Sequence, residues 1–132
     1  MILIKPAKGN AEVVVAAVAS RDVSRAQALA AKHGIARVHD SYEALIADPD
    51  LDAVYIVLPN NLHGRWTGAA LAAGKHVLCE KPFTANAAEA REIAELAATS
   101  DRGVMEAIQF RRGLDPFGRR KACGALPAAR HL

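Results

Sequence analysis

Three stretches of this chain are apolar without alternation: EVVVAAVA over Glu12–Ala19, AVYIVL over Ala53–Leu58 and HVLC over His76–Cys79. A strand with one face in water alternates polar and apolar residues. A strand without alternation must be covered on both faces. Each of these runs is followed by a segment of helical character, so strands and helices take turns along the chain. That pattern predicts an α/β fold built on a parallel sheet with helices on both sides, and right-handed crossovers follow from it.

Local signals place the elements between the strands. Asp22 is a predicted N-cap for a helix over Val23–His33, with Gly34 as its stop, and Ala26, Leu29, Ala30 and His33 share one face of it. A short strand follows at Ala36–His39, then a helix over Tyr42–Ala47 capped by Ser41 and closed by Asp48-Pro49. Pro59-Asn60-Asn61 breaks the second apolar run, and a helix is predicted from Leu62 to Ala73. Asn86 with Glu89 three residues on resembles a capping box, opening a helix to about Ala98. Gly103–Glu106 is a last strand, and Ile2–Ala7 reads as the end of an earlier helix.

With 132 residues the chain suits one domain. No stretch has the length of a membrane span, and the N-terminal apolar run is too short for a secretory signal, so a cytoplasmic protein is expected. The two cysteines, Cys79 and Cys123, have neither a Cys-x-x-Cys partner nor a ligand-spaced histidine. They read as free thiols, with no metal site expected. The net charge of +3 is unevenly placed: the segment from Arg111 onward carries +5, and residues 1–110 carry −2. The basic character therefore belongs to a tail over 112–132 and not to the globular part, which removes most of the support for nucleic-acid binding. The tail has no hydrophobic period and is rich in Arg, Gly, Pro and Ala; a shifted reading frame and an ordinary flexible tail both account for it.

In open parallel sheets ligands bind at the carboxyl ends of strands. Here those ends are Ser20-Arg21-Asp22, the run from Leu58 through Pro59, Asn60 and Asn61 to His63, Glu80-Lys81-Pro82, and Glu106 through Arg111. Polar side chains follow directly on apolar strands at each of them.

The runs AAGKHVLCEKPFTANAAEA (Ala72–Ala90), DPDLDAVYIVLPNNLHGRW (Asp48–Trp66) and MEAIQFR (Met105–Arg111) resemble the Gfo/Idh/MocA family of oxidoreductases, over about Lys5 to Arg111. The resemblance implies a Rossmann-type doubly wound sheet and hydride transfer between NAD(P) and a sugar, polyol or related hydroxyl or carbonyl compound. It implies that Lys81 is the active-site lysine, beside the substrate hydroxyl or the nicotinamide ribose, where an ammonium stabilises a developing alkoxide. Glu80 and Pro82 complete that motif, and the Lys81–Pro82 bond is expected cis. Leu58, Pro59, Asn60 and His63 match the loop beside the nicotinamide, and Arg111 matches an arginine on the substrate side. An oligomer is implied for the intact family.

The cofactor's 2′ position is read at the end of the second family strand, where an acid would accept the 2′-hydroxyl of NAD. This chain has Ser20 there, then Arg21, with Arg25 one helical turn on. A hydroxyl and two guanidiniums suit the 2′-phosphate of NADP. Asp22 keeps NAD open, should the register shift by two.

The phosphate-binding Gly-x-Gly-x-x-Gly is absent from this sequence. Counting back the roughly thirty residues of one strand–helix–strand unit puts that loop and the first strand before Met1, and the substrate-binding domain is expected after the sixth strand. Residues 1–111 are thus expected to be a partial NAD(P)-binding domain, truncated at both ends and inactive alone. A non-catalytic α/β interaction or regulatory domain, and a nucleic-acid or acidic-surface binder working through the Arg-rich tail, are the competing readings.

Overall fold

The computed structural model describes residues 3–107; Arg111, Cys123 and the tail over 112–132 lie outside the described residues. The chain divides into two compact units, one running to Val54 and the next beginning at Tyr55.

The first unit opens with a short helix α1 (Ile4–Lys8), which buries Ile4 and Ala7. Strand β1 (Ala17–Ala19) pairs in parallel with β2 (Arg37–His39), in the register Ala17–Arg37, Val18–Val38 and Ala19–His39. Helix α2 (Val23–His33) is the crossover between them. It begins where predicted because the Asp22 carboxylate accepts from the backbone N–H groups of Ser24 and Arg25, filling two of the orphan donors of the first turn. It ends where predicted because Gly34 takes the left-handed conformation, φ 71°, and returns its N–H to the Ala30 carbonyl. Helix α3 (Tyr42–Ala47) is capped by Ser41, whose hydroxyl accepts from the Ala44 N–H. The unit's core joins Ile4, Ala30 and Ile35, with Val15, Val18 and Leu29 against it.

In the second unit β3 (Ala53–Ile56), which carries the boundary between the units, β4 (His76–Glu80) and β5 (Val104–Ala107) form a sheet in that order. Strands β4 and β5 run parallel, Cys79 facing Glu106 in register. Helix α4 (His63–Ala72), preceded by a 3-10 turn over Asn60–Leu62, and helix α5 (Ala87–Thr99) are the crossovers. Trp66, Ala70, Leu71, Val77, Cys79 and Ile93 form the buried interior. Glycine spaces α4 from α5: a Cβ on Gly64 would collide with the Glu89 side chain, and one on Gly68 would stand 3.3 Å from Ile93 Cδ1.

The structure departs from the sequence reading in the strands. The first apolar run forms only a three-residue strand, all partly exposed, and Val14 is 51% exposed. Its partner among the described residues is β2 alone, so one edge has no ladder to extend. Strand β3 stops at Ile56 and leaves Val57 exposed, whereas β4 runs one residue further and takes in Glu80. Only β3 and β4 are largely buried; β1, β2 and β5 are half-buried.

Candidate active site

Strand β4 lies between two neighbours, and its inward residues Val77 and Cys79 are buried. Its last residue is Glu80, so the loop from Lys81 to Asn86 leaves the carboxyl end of a central strand. The Lys81–Pro82 bond is cis, as the resemblance implies.

The backbone of this loop is tied down at several points. The Pro82 carbonyl accepts from His63 Nδ1 at 2.6 Å, the Phe83 N–H donates to Glu106 Oε1 at 2.8 Å, and the Ala85 N–H donates to Glu89 Oε2 at 2.7 Å. The Thr84 hydroxyl donates to the Asn86 carbonyl at 3.1 Å. Glu80 is held from β3, its carboxylate accepting from the Tyr55 hydroxyl. Against this fixed frame the Lys81 side chain is exposed, and among the described residues its ammonium has no hydrogen-bond or ion-pair partner. A rigid backbone carrying a free ammonium is the arrangement expected of a group that meets a ligand.

Electrostatics keeps the neighbours out of proton transfer. Burial pushes the Tyr55 hydroxyl far above its ordinary value, and the hydrogen bond to Glu80 and its negative charge push the same way. Tyr55 is therefore a permanent donor to Glu80. Burial likewise raises the Cys79 thiol to about 11, which leaves it protonated and unreactive at neutral pH.

His63 is 1% exposed. A histidine at a helix start is ordinarily at the surface, but this ring sits beneath both loops, with Nε2 2.7 Å from the Leu58 carbonyl and Nδ1 on Pro82. It thereby joins the Leu58–Asn60 segment to the Glu80–Lys81–Pro82 segment. Pro59 and Asn60 are exposed at the start of the 3-10 turn.

In the first unit Ser20 and Arg21 lie in the junction between β1 and α2, and Arg25 lies in the first turn of α2. The Ser20 hydroxyl accepts from the Asp22 N–H at 3.3 Å, and both arginines are exposed. Asp22 is committed elsewhere: beyond its two backbone bonds it accepts from the Ser24 hydroxyl at 2.6 Å, and these bonds, the hydroxyl first, hold its carboxyl below the usual range.

Sequence reasoning gave no role to Tyr55 or the Arg37–His39–Asp48 cluster, and it placed Glu106 at a strand end of the candidate site without its part in holding the Phe83 N–H. The signal for Tyr55 was present, since a tyrosine inside an aliphatic strand needs a partner for its hydroxyl. The cluster is internal to the first unit: buried Asp48 accepts from Arg37 Nη1 and His39 Nε2, each at 3.0 Å, tying β2 to the turn after α3.

Residues 4–108 match the family described as Oxidoreductase family, NAD-binding Rossmann fold. The chain is 49% identical over 106 residues to D-xylose 1-dehydrogenase (NADP(+)) 2 of Haloferax volcanii, covering 80% of this chain and 33% of that one. It is 46% identical over 102 residues to trans-1,2-dihydrobenzene-1,2-diol dehydrogenase of Sus scrofa, covering 77% and 30%. Among solved structures, a 3-ketoreductase from Actinomadura kijaniata in complex with NADP and TDP-benzene superposes with a TM-score of 0.74 at 36% identity, over 79% of this chain and 32% of that one. The chain thus spans about a third of the length of the curated relatives it matches. Over most of its length, the chain belongs to the Gfo/Idh/MocA oxidoreductases, with the NAD-binding Rossmann fold of that family.

Proposed function

We propose that this domain binds NADP and serves hydride transfer between the nicotinamide and a sugar, polyol or related hydroxyl or carbonyl compound, with Lys81 as the proton-transfer group. The observation that carries the reading is the contrast at Lys81: an exposed ammonium without a partner among the described residues, on a loop whose backbone is fixed at Pro82, Phe83 and Ala85. The nicotinamide, when bound, supplies or takes up the hydride. Lys81 gives a proton to the carbonyl oxygen during reduction and recovers it from the hydroxyl during oxidation, its charge stabilising the alkoxide between. Glu80, fixed by Tyr55, holds its carboxylate beside the lysine, and Pro82, with Leu58, Pro59 and Asn60, lines the nicotinamide side.

The donor set at the other cluster fits a phosphate. Ser20, Arg21 and Arg25 offer a hydroxyl and two guanidiniums, and Asp22, which would favour NAD, is occupied as the helix cap. The Haloferax volcanii relative is named for NADP and for a sugar, which agrees with both halves of the proposal. No described helix is long and apolar enough to cross a membrane. We assign the reaction to the cytoplasm, a compartment in which the free thiol of Cys79 persists.

Since the sequence lacks the glycine loop that lets backbone amides approach a pyrophosphate, the 132-residue chain assayed alone should bind NADP weakly and turn nothing over. A chimera in which residues 4–108 replace the matching segment of the xylose dehydrogenase tests the function itself. NADP-dependent sugar oxidation by the chimera supports the reading; a folded chimera that binds no dinucleotide overturns it.

A further inference from the structure

We propose that Tyr55 is a positioning residue for Lys81: from strand β3 it holds the Glu80 carboxylate, and that carboxylate holds the backbone N–H of Lys81 itself. The two oxygens of Glu80 have separate partners. Oε1 accepts from the Tyr55 hydroxyl, and Oε2 accepts from the Lys81 N–H at 3.4 Å. The second bond is long and lies at the surface, so by itself it is weak. A glutamate free to turn about its own side-chain bonds would pay that freedom to keep such a bond. With Oε1 fixed on a tyrosine of the adjacent strand, the freedom is already gone, and the bond to Lys81 forms without further ordering.

A tyrosine within an aliphatic strand needs some partner for its hydroxyl. What gives this one a consequence is the partner, which precedes the lysine in the chain and is bonded to its N–H. Tyr55 is not itself a proton-transfer group, since its hydroxyl is committed to Glu80 and burial holds it in the protonated form. The short segment from Lys81 to Phe83 is thus held from both neighbours of β4. On the β3 side, Tyr55 acts through Glu80 on the Lys81 N–H; on the β5 side, Glu106 accepts from the Phe83 N–H at 2.8 Å. Pro82, between them, has no N–H to hold. The Cα that carries the lysine side chain lies between the two anchored N–H groups in the chain.

Removing the Tyr55 hydroxyl releases Glu80 and leaves the Glu106 bond in place, so the Lys81 N–H loosens while the Phe83 N–H does not. An ammonium on a looser backbone spends less time at reacting distance, which lowers the rate without weakening the binding of the cofactor. The effect of Tyr55 on the rate passes through Lys81 and therefore vanishes once the lysine is removed. The contacts belong to the chain itself; their meaning for catalysis rests on the function proposed above.

The test begins with the nitrogen-15-labelled 132-residue chain, without cofactor. Tyr55→Phe keeps the ring and loses only the hydroxyl; it should speed exchange of the Lys81 amide about threefold or more, the scale of one hydrogen bond, and leave the Phe83 amide as in the parent. Glu106→Ala should do the reverse. In the chimera, Tyr55→Phe should lower kcat about threefold to tenfold with KM and NADP affinity unchanged, and should lower it no further in the Lys81→Ala background. A Lys81 amide that exchanges as in the parent, a loosening that speeds both amides alike, or a kcat loss of equal size without the lysine overturns the proposal. Should Tyr55→Phe not fold, the wild-type chain decides: the Tyr55 hydroxyl proton should exchange with water slowly enough to be observed, and fast exchange overturns the proposal. Lys81→Ala turning over at the parental rate would instead overturn the proposed function, and the amide exchange, which needs no turnover, is read separately from it.

Discussion

Lys81 and Arg21 are alike in exposure and opposite in setting. Lys81 extends from a loop anchored to two helices and a neighbouring strand, whereas Arg21 lies in the short junction between β1 and α2, whose polar contacts centre on Asp22. Arg21→Ala in the chimera should weaken NADP by roughly tenfold, the scale of one charge-assisted bond, while NAD affinity hardly changes. Fluorescence titration with both dinucleotides measures this, and equal losses would remove Arg21 from the phosphate. Both residues were legible in the sequence, Lys81 through its Glu-Lys-Pro context and Arg21 through its place after an apolar run. The anchors were less so. His63 was visible as a motif position, but nothing in the sequence says that its two nitrogens face two carbonyls, because those oxygens belong to backbone brought together only by the crossover from β3 to β4.

Helix boundaries were read more accurately than strand boundaries, for a physical reason. Caps are local: Asp22, Ser41 and Asn86 each accept from N–H groups two or three residues on, so the chain's own chemistry starts the helix. Strand ends depend on what lies alongside, and β1 is cut to three residues because only β2 pairs with it among the described residues. The capping box at α5 illustrates the limit of local reading. Asn86 Oδ1 accepts from the Glu89 N–H as predicted, but Glu89 reaches past Asn86 to the Ala85 N–H. It thus serves the lysine loop as well as the helix. Asn86→Ala should cost about 1 kcal/mol of stability in chemical denaturation. Gly64→Ala should displace the Glu89 side chain, which lies against that glycine, and expose the Ala85 amide to exchange; an Ala85 amide as protected as in the parent would show that Glu89 is not the anchor.

At the scale of the chain, each unit by itself has the parallel pairing expected from the alternation of strands and helices, β1 with β2 in the first and β4 with β5 in the second. Acid should unfold the first unit in two stages. His33 is held below its ordinary 6.5, by burial first and then by Lys8, Lys32 and Lys5. Its neutral form is favoured in the fold, so the associated stability is complete above pH 6.5 and declines as pH falls below it. Asp48 is held below 3.8, chiefly by the Asp50 backbone N–H with His39 and Arg37 adding, and Asp22 is lowered too. Their contribution is present above 3.8 and is lost as pH falls through their depressed values. Denaturation midpoints by circular dichroism across pH should show both declines, and His33→Gln should flatten only the upper one.

The proposed hydride transfer turns on Lys81 as the group that moves the proton. The most direct measurement is the steady-state rate of NADP reduction by the chimera and by its Lys81→Ala variant, with dinucleotide affinity measured on both. General acid–base catalysis contributes about 10²–10⁴-fold, so the variant should lose at least about a hundredfold in kcat while binding NADP as tightly as its parent. A variant that turns over at the parental rate would contradict the assignment.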